Sequence, residues 1–186
     1  MRIDHDLLKA CLENDRAAQN RLYKEVFSYL MNICIRYKND YDTAGASLNA
    51  IYLKILDNLH KFRQEESFVP WIKRIAVNHL IDEYRKDKRV KDKLSYLDDV
   101  THKEHEHSSF HAGEAEMDSE YLLEMIRELP LMTAKVFNLY AIDGFKHREI
   151  GELLDMSENT SKWHLREARK KLKAKLERFH QKETSL

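Results

Sequence analysis

Apolar residues recur along this chain at the three-to-four spacing of helices, and one long stretch breaks the pattern. Leu7, Leu8, Cys11 and Leu12, then Leu22, Val26, Phe27, Leu30, Ile33 and Cys34, predict two helices over residues 5–38, with Asp15 as the N-cap of the second. A third helix over 43–61 carries Leu48, Ile51, Tyr52, Ile55, Leu56 and Leu59 on one face. After a short loop at 62–66, Ser67 is placed to cap a fourth helix, with Pro70 in its first turn where a missing N–H is harmless. Trp71, Ile72, Ile75, Ala76, Leu80, Ile81 and Tyr84 mark its apolar side, and it turns basic from Arg85 to Lys93. Periodicity then lapses over 95–117, a stretch rich in acid, His and Ser that reads as a linker. It resumes at Asp118, breaks at Pro130, runs from Thr133 to Ile142, and stops at Asp143-Gly144. Two more helices are expected at 147–154 and 158–179. The pattern predicts an all-α fold of two small helical domains, residues 1–94 and 118–186, joined by an acidic flexible linker at 95–117. Only four glycines and two prolines in 186 residues agree with it.

Composition changes the picture in one respect. Formal net charge is zero, but the charges are segregated. Residues 160–182 hold nine Lys/Arg against two acids, Glu167 and Glu177, whereas 95–120 hold eight acids against one lysine. A basic end and an acidic middle present separate faces to partners. Cys11 and Cys34 lie within apolar helical patterns and are expected as buried, reduced thiols. No apolar run approaches the roughly 20 residues of a membrane span, and the N-terminus lacks a signal-peptide core. A soluble cytoplasmic protein without membrane partners is expected. No Gly-rich phosphate loop, nucleophile motif or paired-His helix occurs, so catalysis, cofactors and metals are not expected. His102, His105, His107 and His111 fit a solvated linker better than a metal site.

The most specific local pattern spans residues 144–169. A short helix with Ile150 and Leu153 inward meets a tight turn at Asp155-Met156, and Ser157 then caps a helix with Leu165, Ala168 and Leu172 inward. Gly151 lets the elements approach closely. This is helix-turn-helix spacing, whose second helix enters the major groove by its N-terminal end. Asn159, Thr160, Ser161, Lys162, His164 and Arg166 are expected to be exposed there as base and phosphate contacts. Arg169, Lys170, Lys171 and Lys173 extend a phosphate-contacting stripe. In the first domain, aromatic residues interleave with Lys73, Arg74, Asn78, His79, Arg85 and Lys86, a mixture that stacks on unpaired bases and holds a backbone. Taken alone, Phe68 and Trp71 fit a hydrophobic core better than a base platform.

The order of Ser67-Phe68-x-x-Trp71, Ile75-Ala76-x-Asn78, Asp82-x-Tyr84-Arg85, acidic linker, Leu129-Pro130, Val136-Phe137-x-Leu139-Tyr140 and helix-turn-helix resembles a bacterial sigma factor of the sigma-70 family, in its small extracytoplasmic-function (ECF) group. The resemblance covers nearly the whole chain. It implies a region 2, about 5–93, that binds the RNA polymerase core and melts the minus-ten element. Leu48, Asn49, Tyr52, Leu53 and Leu56 would face the polymerase clamp. Phe62, Arg63, Ser67, Phe68, Trp71, Arg74, Asn78, His79 and Arg85 would hold the non-template strand and an extruded base. It implies a region 4, about 118–179, that reads the minus-thirty-five duplex through the second helix, next to the polymerase flap. The acidic linker would thread the core's nucleic-acid channel.

The chain departs from the family pattern where acids usually precede the clamp-binding helix. It has Thr43-Ala44-Gly45-Ala46, then Asn49 and Ala50 in place of Gln and an acid. Lost interface charge lowers on-rate and specificity more than affinity. The departure implies weak core binding or help from another partner, such as a recruiting DNA-bound or RNA-guided protein. An anti-sigma factor is a further family-type partner. Asp155 stands where the turn usually has Gly, and Asp tolerates the left-handed conformation needed. Glu167 stands where a basic residue is common. The rival readings are a helix-turn-helix regulator that binds no polymerase and a structural interaction protein. Core binding separates the first from a sigma factor, and DNA binding separates the second.

Overall fold

The computed structural model describes residues 3–38, 40–63, 67–95 and 117–183, and every regular element among them is helical. The helices form two compact units. Residues 96–116 of the expected linker, with its four histidines, lie outside the described residues.

The first unit comprises α1 (His5–Leu12), α2 (Arg16–Tyr37), α3 (Tyr41–Asn58), a 3-10 turn (Leu59–Lys61) and α4 (Phe68–Ser95). Side-chain caps set three of the starts. Asp4 accepts from Asp6 N–H, Asp15 from Ala17 and Ala18 N–H, and Asp40 from Thr43 N–H. Asn14, at φ 62°, turns the chain between α1 and α2. Helices α2, α3 and α4 pack on one another, and α1 lies on α2. Their shared interior holds Leu22, Val26, Leu30, Leu48, Ile51, Ile55, Ile72, Val77 and Ile81, all fully buried. Glu83 of α4 ties the three helices together: it accepts from Ser47 Oγ of α3 at 2.8 Å and pairs with Lys38, just past α2, at 3.0 Å. Burial would raise its carboxyl, but these bonds leave it below the ordinary range. Cys34 is fully buried and its thiol is pushed up to about 12, chiefly by burial, so it is an inert core group.

The second unit comprises α5 (Met117–Arg127), α6 (Leu131–Phe137) continuing into a π-helical segment (Asn138–Ile142), α7 (His147–Leu154) and α8 (Glu158–Glu183). Helix α8 packs against α6 and α7, and α5 lies on α6 and α8. Met125, Ile126, Leu129, Ala168 and Leu172 form one buried cluster, flanked by Ala134 and Phe137. Ile150, Leu154 and Leu165 are buried as well, with Leu153 half-buried beside them.

Candidate nucleic-acid interface

The turn between α7 and α8 is built from three local devices. Glu149 reaches back to Lys146 N–H at 2.8 Å, fixing the start of α7. Asp155 adopts the left-handed conformation at φ 54°, and Met156 N–H closes the turn on Gly151 O at 3.0 Å. Ser157 Oγ then accepts from Thr160 N–H at 3.0 Å and caps α8. Two side-chain ties hold α8 in place. Ser161 Oγ meets His147 Nδ1 at 2.9 Å, and His164 Nδ1 meets Thr133 Oγ1 of α6 at 3.0 Å. The Tyr140 ring stacks on His147 at 4.4 Å, with the Arg169 guanidinium 5.9 Å from its centre.

The opposite side of α8 is open. Asn159, Thr160, Lys162, Trp163, Arg166, Arg169, Lys170, Lys171 and Lys173 are exposed. Lys162 pairs with Glu158 at 2.6 Å, and both side chains are half in water, so the pair gives way to a phosphate at little cost. Helix N-terminus, cations and an exposed ridge make a surface suited to duplex DNA.

In the first unit, α3 and α4 border an open cleft of about 250 Å³ lined by Lys54, Asn58, Lys61, Trp71, Ile75, Asn78, His79 and Asp82. At its edge Phe62, Phe68 and Trp71 form an aromatic trio, with ring centres 5.3 to 5.7 Å apart. Lys61 Nζ donates to Asn58 Oδ1 at 2.8 Å, which sets the cationic wall. Cations, amides and an aromatic floor are the groups that hold a single strand by stacking and phosphate contact.

Two family models match the chain: Sigma-70 region 2 over residues 22–90, and Sigma-70, region 4 over residues 119–172. The chain belongs to the sigma-70 family. Its two units carry region 2 and region 4 in that order. The fold is shared with CnrH, solved in complex with the cytosolic domain of CnrY, at 18% identity, 94% coverage of this chain, 97% of that one and a TM-score of 0.50. It is also shared with the sigma factor RpoE of Bartonella quintana, solved with the anti-sigma factor NepR, at 16% identity, 85% coverage of this chain, 96% of that one and a TM-score of 0.54. A comparison with curated protein sequences finds no match.

Several side chains sit differently from expectation. In region 4, Ser161 is fully buried rather than exposed, because α7 packs over that side of α8 and His147 takes its hydroxyl. His164 is half-buried and turned toward α6 instead of outward. In region 2, Leu48 and Tyr52 are buried in the domain, and the Tyr52 hydroxyl donates to Gln19 O, so neither offers a surface to polymerase. Asn49 is exposed but accepts from Tyr23 OH at 2.9 Å, Leu56 is half-buried, and Leu53 is 61% exposed. Phe68 is 8% exposed and belongs to the core edge, whereas Trp71 and Phe62 are half-buried. His79 is largely enclosed: its Nε2 lies 3.4 Å from Glu83, yet neither ring nitrogen makes a hydrogen bond. Asn78, Arg63, Ser67 and Arg74 are exposed, and Arg85 is half-buried. Lys54, Asn58, Lys61, Ile75 and Asp82 also line the cleft, although the sequence pattern did not place them among the strand-binding residues. Their spacing was a usable signal, since 54, 58 and 61 share one face of the α3 end, as 71, 75, 78 and 82 share one face of α4.

Burial holds His79, His147 and His164 below the ordinary imidazole value of 6.5. The folded chain therefore favours the neutral rings, while the unfolded chain takes up protons first. This contribution to stability is fully present above pH 6.5 and is lost as pH falls through the lowered folded values. Thermal melts at constant ionic strength are expected to show a falling Tm from pH 7 to pH 5. The fall should be shallower in His147→Gln, and an equal slope in that variant would exclude His147 as a source.

Proposed function

We propose that this chain is an ECF-type sigma factor that binds RNA polymerase core and directs promoter-specific initiation, with region 2 (1–94) handling the minus-ten strand and region 4 (118–186) reading the minus-thirty-five duplex. The observation that carries the reading is the pairing, in one chain, of an open basic helix-turn-helix face with a separate aromatic and amide cleft. One surface suits duplex and the other suits unpaired bases. The protein acts in the cytoplasm and by binding rather than by catalysis. Among the described residues no helix is long and apolar enough to cross a membrane.

On region 4, Asn159, Thr160, Lys162, Arg166, Arg169 and Lys170 meet the duplex. On region 2, Phe62, Arg63, Ser67, Trp71, Arg74, Asn78 and Arg85 meet the strand, with Lys54 and Lys61 holding its phosphates. Core polymerase meets α3 through Asn49, Leu53 and Leu56. An anti-sigma factor is a natural partner, since RpoE was solved with one and CnrH with a cytosolic partner domain. The middle of the outward face of α3 presents Ala46, Asn49 and Leu53, with acids only at its two ends, Asp42 and Asp57, which supports a second element: recruitment helped by another DNA-bound or RNA-guided protein.

Reconstitution with purified core polymerase tests this. Co-elution with core and defined transcript starts on a linear template are expected, with starts weak in the absence of a recruiting factor. Failure to bind core at all leaves the rival helix-turn-helix regulator. Efficient initiation by chain and core alone removes the recruiting factor.

Charge reversal tests the duplex face. Lys162→Glu and Lys170→Glu are each expected to weaken duplex binding roughly tenfold at moderate salt and to lower the salt slope by about 1. Both side chains are exposed, so Tm should hold. Arg169→Glu is less clean, because it also removes the cation beside Tyr140. Unchanged binding in both lysine variants removes α8 as the duplex reader.

A further inference from the structure

The outward ridge of α8 carries one large apolar side chain, Trp163, which is 48% exposed. The buried line of the helix runs through Ser161, Leu165, Ala168 and Leu172, and a 100° step per residue puts Trp163 almost opposite it. It therefore stands where the ridge projects furthest from the domain. Its neighbours one turn away are Asn159, Thr160, Arg166 and Glu167, with Lys170 a further turn on; Glu167 is half-buried and the others are exposed. A protein-docking patch gathers apolar neighbours. No other large exposed apolar residue of α8 lies within a turn of Trp163, and the next, Leu176, is more than three turns away. The surroundings are amide, hydroxyl and two cations against the single half-buried acid Glu167, a balance that suits a polyanion with base edges.

The indole is also braced. Its ring stands edge-on to His164 with centres 4.8 Å apart and planes at 75°, and His164 is anchored to Thr133. A half-exposed tryptophan held by a pinned neighbour loses little freedom on binding. An indole offers a broad apolar face and a single N–H donor. In the major groove the apolar feature that distinguishes one base from the other three is the C5-methyl group of thymine.

We propose that Trp163 is a specificity-determining residue that reads a thymine methyl group in the upstream duplex element. This rests on the assignment of α8 as the duplex reader. The cations around it place the helix by phosphate contact, and Trp163 sets which base is preferred.

The test uses the full chain bound to core polymerase. Selection from a randomised duplex upstream of the start site is run with wild type, Trp163→Ser and Trp163→Phe. Wild type should select thymine at one or two adjoining positions. Trp163→Ser should lose that preference, with affinity for the selected duplex down about tenfold and the salt slope unchanged. Trp163→Phe should retain part of it. Replacing that thymine by uracil, which removes only the methyl group, should weaken wild type by a similar factor and leave Trp163→Ser unaffected. An unchanged motif in Trp163→Ser overturns the assignment. So does an equal loss on every sequence, or a wild type indifferent to uracil. A wild-type complex that selects no duplex motif overturns the duplex-reader assignment itself, and this one with it.

Discussion

Replacing Gly151 with alanine is expected to lower the melting temperature of region 4 by roughly 10 °C, from a net loss of about 2 kcal/mol, and to cut duplex binding more than tenfold. A Cβ at this position would lie 2.7 Å from Met156 O, well inside contact distance. The atom it meets is backbone, and that backbone is held by Met156 N–H bonding to Gly151 O and by Asp155 in the left-handed conformation. Relief requires the turn to open, which re-aims α8. Alanine is the better helix former by about 1 kcal/mol, so the clash and the propensity oppose each other, and the clash is the larger. Gly45→Ala in α3 supplies the contrast. Its added methyl group meets nothing nearer than Met31 Cε at 4.0 Å, so it should be neutral or slightly stabilising. Melts and duplex binding of the two variants side by side check the argument. A Gly151→Ala protein as stable as wild type would mean that the turn yields without cost.

The second large effect belongs to region 2. Trp71→Ala and Asn78→Ala are each expected to slow promoter opening by about five- to a hundredfold while leaving upstream duplex binding intact. For Trp71 the range follows from the roughly 1–3 kcal/mol that an aromatic platform contributes per stacked base, and for Asn78 from the roughly 1–3 kcal/mol lost when a hydrogen-bonding partner is removed from an enclosed base. Trp71 lines the cleft and joins the aromatic trio, and Asn78 is exposed on the same face of α4. Phe68→Ala should behave differently. That ring is buried, so its loss costs roughly 3–5 kcal/mol of stability and says little about base holding. Permanganate reactivity of unpaired thymines near the start site, with duplex binding and melts measured in parallel, separates the three. Normal opening in both Trp71→Ala and Asn78→Ala would place the strand elsewhere.

Much of this was legible from local pattern. The helices, the Asp15 cap, the left-handed Asp155, the Ser157 cap and the inward Leu165, Ala168 and Leu172 all follow from residues within a few positions of one another. Helical period, capping and turn chemistry are short-range effects, which is why sequence spacing alone reveals them. The order of motifs was likewise enough to suggest the sigma-70 resemblance before any contact was known.

Tertiary packing decided which faces are free. Ser161 and His164 look like groove contacts by composition, but α7 and α6 cover that side of α8 and take their polar atoms. Leu48 and Tyr52 sit at spacings that suit a partner-facing helix as well as a core, and packing among α2, α3 and α4 turned them inward. The cleft joins side chains from the end of α3 with others from α4, more than ten residues further on, so no local pattern displays it. Sequence by itself placed the helices and turns to within a few residues, because those are matters of neighbouring residues, although it did not show that the third helix ends at Asn58 in a 3-10 turn or that α6 passes into a π-helical segment. Which side of each helix meets solvent, and therefore DNA or polymerase, was settled only by the helices that pack against it, since burial depends on contacts between distant parts of the chain.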